Sequence, residues 1–340
     1  MIIVFKPHTP KAHIDAVTDE VRKLGYEPRL ITGVEQSICA CIGDERKQHT
    51  LEALTVFPGV DQVMRVQKRY KLVSREGHPA DTQIPVDGGK NVIGGKKFQV
   101  MAGPCSVESE EQIVSTAKAV KALGATILRG GAYKPRTSPY EFQGLKEDGL
   151  KLLALAKKET GLSIITEVLA EKDVDLVAQY TDIFQIGARN AQNFALLVAA
   201  ARTGKPIMLK RGLSMRIEEW LLAAEYILNE GNPHVMLCER GIRTFETYTR
   251  NTLDLSAVAI AKRETHLPVI IDPSQGCGRS DLVIALCKGA VAMGADGLLI
   301  EVHPNPAEAM SDGAQQVTPD IFGTLMQEIK PLINAVGRSL

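Results

Sequence analysis

Five charge-bearing stretches of this 340-residue chain each follow an apolar run of strand length. They are Leu128-Arg-Gly-Gly-Ala-Tyr-Lys-Pro-Arg-Thr-Ser138, Thr166-Glu-Val168, Gln185-Ile-Gly-Ala-Arg-Asn190, Leu209-Lys-Arg-Gly212 and Cys238-Glu-Arg-Gly241. Together they carry Arg129, Lys134, Arg136, Glu167, Arg189, Lys210, Glu239 and Arg240. Cations at the ends of buried strands are costly unless an anion meets them there. Guanidinium forks and ammonium groups beside open backbone amides suit phosphate and carboxylate oxygens. The pattern therefore implies an anion-handling active site able to take two phosphorylated substrates. Arg211 and Arg243 fall one or two steps off the inward positions and are read as surface ion pairs.

A second group points to a metal. Cys105 follows the apolar run ending at Ala102, Glu301 closes another, and Asp312 lies in the loop beyond it. A thiolate and two carboxylates converging on one face would suit zinc, manganese or iron. His303, two residues past Glu301, reads equally as a supporting hydrogen-bond donor or as a packed neutral ring. Cys39 and Cys41 share one face of a strand and are read as small core residues.

The elements that must position these side chains alternate regularly. Strands are expected at Phe98–Ala102, Thr126–Arg129, Ser163–Glu167, Ile183–Ile186, Ile207–Lys210, Val235–Cys238, Val269–Asp272 and Gly297–Val302, with helical segments between them. Eight such units in this length fit a closed (β/α)8 barrel over residues 96–340, whose chemistry belongs at the carboxyl ends of the strands. Residues 1–72 read as a small α+β ferredoxin-like domain. It comprises an apolar strand at Ile2–Phe5, a helix at Lys11–Leu24, a hairpin around Gly33, a short helix at Arg46–Leu54 and a last strand at Val60–Val66. Residues 73–95, rich in Pro and Gly, are expected to form a linker with a short hairpin. The chain as a whole is thus an α/β protein.

With 40 basic and 40 acidic residues, the balance gives no reason to expect nucleic acid or an anionic membrane as partner. No leader pattern or membrane-length apolar run is visible, so a cytoplasmic protein is expected. The six cysteines include no CxxC pair, and reduced thiols are expected. Nucleotide-binding GxGxxG and GxxxxGK[ST] patterns are absent from the sequence.

The stretches at 128–138, 185–190 and 209–212, with Ala102-Gly-Pro-Cys-Ser-Val-Glu108, Cys238-Glu-Arg-Gly-Ile-Arg-Thr-Phe-Glu246 and Glu301-Val-His-Pro304, closely resemble the 3-deoxy-D-arabino-heptulosonate 7-phosphate (DAHP) synthases of the type I beta group. The resemblance spans 95–340, and residues 1–72 resemble the regulatory extension of some members. Lys-Pro-Arg-Thr at 134–137 and Gly-Ala-Arg-Asn at 187–190 favour this family over the sister octulosonate phosphate synthases. The resemblance implies condensation of phosphoenolpyruvate with erythrose 4-phosphate to DAHP and phosphate, the first step of the shikimate pathway. It implies that Arg129, Lys134, Arg189, Lys210 and Arg240 hold phosphoenolpyruvate and that Lys134, Arg136 and Thr137 grip erythrose 4-phosphate. Glu167 and Glu239 would then neighbour the reacting carbon and water, and Lys134 would protonate the new alkoxide.

It further implies a divalent metal (manganese, iron or zinc), a homo-oligomer, tetrameric in the family, and an aromatic amino-acid effector. The family carries a metal-binding histidine in an Asp-Pro-Ser-His motif, whereas this chain reads Asp272-Pro-Ser-Gln-Gly-Cys277. Gln275 is therefore expected to be a weak fourth ligand beside Cys105, Glu301 and Asp312, because an amide oxygen is a poorer donor than imidazole. Two rival functions stand beside this one: a non-catalytic, metabolite-binding regulatory paralogue, and a synthase for another aldose phosphate.

Overall fold

The structure, a computed structural model, describes residues 1–32, 36–43, 49–64 and 68–340. It divides into two compact units, Met1–Arg69 and Tyr70–Leu340. The first contains β1 (Ile2–Phe5), α1 (Lys11–Lys23), β2 (Glu27–Thr32), β3 (Ser37–Ile42), α2 (His49–Glu52) and β4 (Val60–Met64). Its sheet has the order β2-β3-β1-β4, with β1 antiparallel to both neighbours. This is the ferredoxin-like arrangement. Helix α1 turns Ile14, Val17 and Val21 inward, a spacing of three and four residues that makes one apolar face. They pack on Ile3, Phe5, Cys39 and Cys41, so the two thiols are core residues here. The expected turn at Gly33, the start of the helix at Arg46 and the strand end at Val66 lie outside the described residues.

The second unit contains the hairpin β5 (Ile84–Val86) and β6 (Asn91–Ile93) and then eight parallel strands: β7 (Gln99–Gly103), β8 (Ile127–Arg129), β9 (Ser163–Glu167), β10 (Ile183–Ile186), β11 (Ile207–Lys210), β12 (Val235–Glu239), β13 (Val269–Ile271) and β14 (Gly297–Glu301). Strand β14 pairs with β7 and closes the barrel, as expected from the alternation. Around it run α3 (Glu110–Ala122), α4 (Glu147–Thr160), α5 (Val174–Ala178), α6 (Phe194–Arg202), α7 (Ile217–Asn229), α8 (Leu255–Glu264), α9 (Pro273–Cys277), α10 (Val283–Ala292) and α11 (Pro319–Ala335). Side-chain caps set several of the helix starts: Asn193 accepts from Leu196 N, Asp254 from Ala257 N and Asp272 from Gln275 N.

Two apolar layers hold the barrel. The outer one lies between strands and helices and includes Tyr70 and Val73. The inner one combines Met101, Ile127, Ile165, Ile183, Met208, Met236, Cys238, Ile270 and Leu299 with Ile84, Val86 and Ile93 of the hairpin. The Asn91 amide donates to Thr126 O and Ser163 Oγ, and Gln99 Nε2 donates to Val92 O, so the hairpin plugs the amino-terminal end of the strands. The other end is left for the site. Among the described residues no helix is long and apolar enough to cross a membrane.

Candidate active site

Side chains of a strand alternate faces, so the residue two beyond an inner-layer residue points the same way, towards the barrel mouth. Applied to the inner layer, this places Arg129, Glu167, Gln185, Lys210, Arg240, Asp272 and Glu301 at the carboxyl ends of the strands. A cavity of about 360 Å³ opens there. It is lined by Arg129, Lys134, Arg136, Thr137, Glu167, Arg189, Lys210 and Arg240, together with Gln185, Arg243, Arg250, Gln275 and Asp312. Eight of its lining side chains are cationic and three are acidic, the last being Glu141, Glu167 and Asp312. Two buried donors in this lining, Arg129 Nε and Arg240 Nη1, have no hydrogen-bond partner among the described residues. Such orphaned donors cost free energy until an acceptor arrives, which suits a cavity made for anions.

Beneath the cavity the charges are paired. Arg129 Nη1 lies 2.5 Å from Glu301 Oε1, and Lys210 Nζ lies 2.5 Å from Asp272 Oδ2. Burial disfavours the Glu301 carboxylate, but Arg129, Lys134, a hydrogen bond from Gln315 and Lys210 outweigh it, and its pKa falls to about 2. Burial likewise opposes charge on Lys134, yet Cys105 and Glu301 hold its pKa above the ordinary lysine value. At Glu167 burial prevails over Lys134 and Lys210, so its pKa is raised. Its carboxylate accepts from Gln185 Nε2 at 3.4 Å. A Cβ at Gly187 would stand 1.9 Å from Glu167 Oε1, so any other residue there would push this carboxylate aside.

Cys105, Glu301 and Asp312 bring one ligand atom each to within 4.8 Å of one another, a set that could hold a metal ion. Loop contacts bring them together: Cys105 N donates to Gln316 Oε1 at 3.0 Å, and the Ser106 and Ser311 hydroxyls meet at 2.7 Å. His303 serves this same join, meeting Glu108 Oε2 at 3.2 Å while Glu108 Oε1 accepts from Met310 N. Burial, with Glu301 adding to it, pushes the Cys105 thiol up to about 12. Its sulfur donates to Asp312 Oδ2 at 3.3 Å and accepts from Lys134 Nζ at 2.9 Å.

Two expected roles meet a different geometry. Glu239 does not line the cavity: it is out of phase with Cys238 and Arg240, and its carboxylate binds Arg211 Nη1 at 3.0 Å and Gly241 N at 2.6 Å. It therefore anchors the strand end and does not face the cavity. Gln275 reaches the metal-ligand cluster with its NH2 group, not its oxygen: Nε2 donates to Glu301 Oε1 at 3.0 Å, while Oε1 accepts from Arg240 and Arg250. Arg136 lines the cavity but is already engaged by Glu141, 2.8 Å from its Nε. Arg211 forms ion pairs, but buried ones, with Glu239 and Asp254, and Arg243 lines the cavity. Arg250 and Gln315 are additions that sequence reasoning missed. Both come from loops, where no period marks direction; Gln185 and Asp272 would have followed from the strand phase.

A closed barrel whose mouth carries buried, partly unsatisfied cations defines an enzyme that handles anionic substrates. Residues 80–335 match the DAHP synthetase I family and residues 1–68 the DAHP synthase ferredoxin-like domain. The chain belongs to the DAHP synthetase I family. It is 50% identical over 337 residues to a phospho-2-dehydro-3-deoxyheptonate aldolase of Thermotoga maritima, covering 99% of each chain. The crystal structure of a Thermotoga maritima DAHP synthase superposes with a TM-score of 0.90 at 48% identity, covering 99% of this chain and 98% of that one. A 2-dehydro-3-deoxyphosphooctonate aldolase of Paraburkholderia xenovorans is 33% identical over 270 residues, 72% of this chain and 93% of that protein.

Proposed function

We propose that the chain condenses phosphoenolpyruvate with erythrose 4-phosphate to DAHP and phosphate, the opening reaction of the shikimate pathway. The observation that carries this is the pair of orphaned guanidinium donors, Arg129 Nε and Arg240 Nη1, in a cavity ringed by cations. Family membership supports the same reaction. Arg129, Lys134, Arg189, Lys210 and Arg240 hold the phosphate and carboxylate of phosphoenolpyruvate. Lys134, Arg136 and Thr137, on the loop after β8, take the aldose phosphate, with Arg136 exchanging Glu141 for it.

In the reaction C3 of the enol attacks the aldehyde carbon, and the carbonyl electron pair moves to oxygen. Lys134 gives that oxygen a proton. Water adds at C2 and loses a proton to Glu167, the lining carboxylate whose raised pKa suits a base. The C2–O bond to phosphate then breaks, phosphate leaving with the pair, while the remaining C2 hydroxyl gives its proton to the departing phosphate and becomes the C2 ketone. Preplaced cations stabilise the charge that develops. Glu239 is a positioning residue, fixing the turn that presents Arg240.

Of the ligand set that resemblance implies for a divalent ion, manganese, iron or zinc, Cys105, Glu301 and Asp312 are present and lie close enough to share one. Gln275 does not fit as fourth ligand because its oxygen is taken by two arginines. The small unit acts as a regulatory domain for an aromatic amino-acid effector, and the chain assembles as a homo-oligomer, a tetramer. Likeness to the octulosonate enzymes supports a second reading, a synthase for a different aldose phosphate. Supplying phosphoenolpyruvate with erythrose 4-phosphate or arabinose 5-phosphate, and following its loss with phosphate release, separates the two; faster turnover of the five-carbon sugar would overturn the first reading.

A further inference from the structure

Each group that would hold a metal already has a cation of this chain beside it. Lys134 Nζ stands 2.9 Å from Cys105 Sγ, Arg129 Nη1 2.5 Å from Glu301 Oε1, and Arg250 Nη1 3.2 Å from Asp312 Oδ1. Gln275 occupies the middle of this array. Its Nε2 donates to Glu301 Oε1 at 3.0 Å and to Asp312 Oδ2 at 3.5 Å, while its Oε1 accepts from Arg240 Nη2 and Arg250 Nη1, each at 3.3 Å.

Chemistry fixes that orientation. A guanidinium only donates and a carboxylate only accepts, so the amide can satisfy all four neighbours in one way only. Offering Oε1 to an ion in the cluster means turning the amide over. The NH2 would then face two guanidinium groups and both carboxylates would lose a donor. Arg240, whose Nη1 is already unpartnered, would lose the partner of Nη2 as well. A dication would also sit among three monocations, in a site where each negative or sulfur group is already matched.

We propose that this centre works without a divalent metal, and that Lys134, Arg250 and the Gln275 amide supply the positive field in its place. This rests on the synthase reading of the cavity. Lys134 polarises and then protonates the aldehyde oxygen, while Gln275 and Arg250 hold Glu301 and Asp312 in place.

The test uses the full chain. Elemental analysis after dialysis should find well under one metal per chain, and equilibrium dialysis with zinc or manganese alone should show no saturable site in the micromolar range. Phosphoenolpyruvate loss should be unchanged by a chelator. Gln275→His should bind zinc roughly 10- to 100-fold more tightly than the natural protein, because imidazole completes the ligand set. About one zinc or manganese per natural chain surviving dialysis would overturn the proposal, as would turnover abolished by chelator and restored by metal. Absence of turnover in every arm would defeat the synthase reading, while the dialysis measurements still decide the metal.

Discussion

Arg189 and Lys210 both line the cavity but are embedded differently, which separates binding from folding. Arg189 is exposed, and its one hydrogen bond is a long 3.4 Å contact from Nη1 to Pro135 O. Arg189→Ala should therefore remove a contact to substrate and little else. Losing one charge-assisted contact to a phosphate or carboxylate costs about 1.5–3 kcal/mol. That corresponds to a rise of roughly 10- to 140-fold in the KM for phosphoenolpyruvate, with stability changed by no more than about 0.5 kcal/mol. Lys210 instead lies 2.5 Å from Asp272, and both side chains are buried. Lys210→Ala should show the same binding loss and strand a buried carboxylate, at a cost of about 3–5 kcal/mol in stability. Steady-state kinetics at saturating erythrose 4-phosphate, with urea unfolding of both variants, reads both quantities. A folded Arg189→Ala protein with natural KM would refute the assignment of the cavity, and a Lys210→Ala protein of natural stability would refute the pairing.

Lys134→Met should leave phosphoenolpyruvate binding measurable by titration while lowering turnover by about 10²- to 10⁴-fold, since it removes the proton donor; near-natural turnover would exclude that role. Glu301 has a folded pKa of about 2 against an ordinary 4.5, so its stabilisation is present above pH 4.5 and is lost as the pH falls through the folded value. The melting temperature of the natural protein should therefore fall more steeply below pH 4.5 than that of Glu301→Gln; parallel slopes in thermal melts would contradict the depressed pKa. On the regulatory reading proposed above, a truncated chain starting at Tyr70 should fold and keep its activity in the presence of any aromatic amino acid that inhibits the full chain. One starting at Val92 deletes Ile84 and Val86 from the base of the barrel and should be markedly less stable; equal melting of the two would deny the hairpin its role as plug.

The barrel strands were legible to within about a residue, because a strand buried on both faces must be a largely apolar run and six of the eight runs here stop at a charge. Arg129, Lys210 and Arg240 could be found for the same reason. Glu239 could not be placed by adjacency to Arg240, since neighbours on a strand face opposite ways and Cys238 already fixes which of them points inward. Arg243, Arg250 and Gln315 reach the site from loops, whose course depends on tertiary contacts and not on local period. Gln275 was recognisable as a departure from a motif, but the direction of its amide is set by Arg240 and Arg250, which only the folded chain brings to it.

The most direct test of the proposed reaction is to mix the purified chain with phosphoenolpyruvate and erythrose 4-phosphate, together and singly, and quantify DAHP and phosphate. One DAHP and one phosphate per phosphoenolpyruvate consumed, only when both substrates are present, is the expected result. Phosphate release without erythrose 4-phosphate, or no DAHP from a folded protein that binds phosphoenolpyruvate, would contradict it.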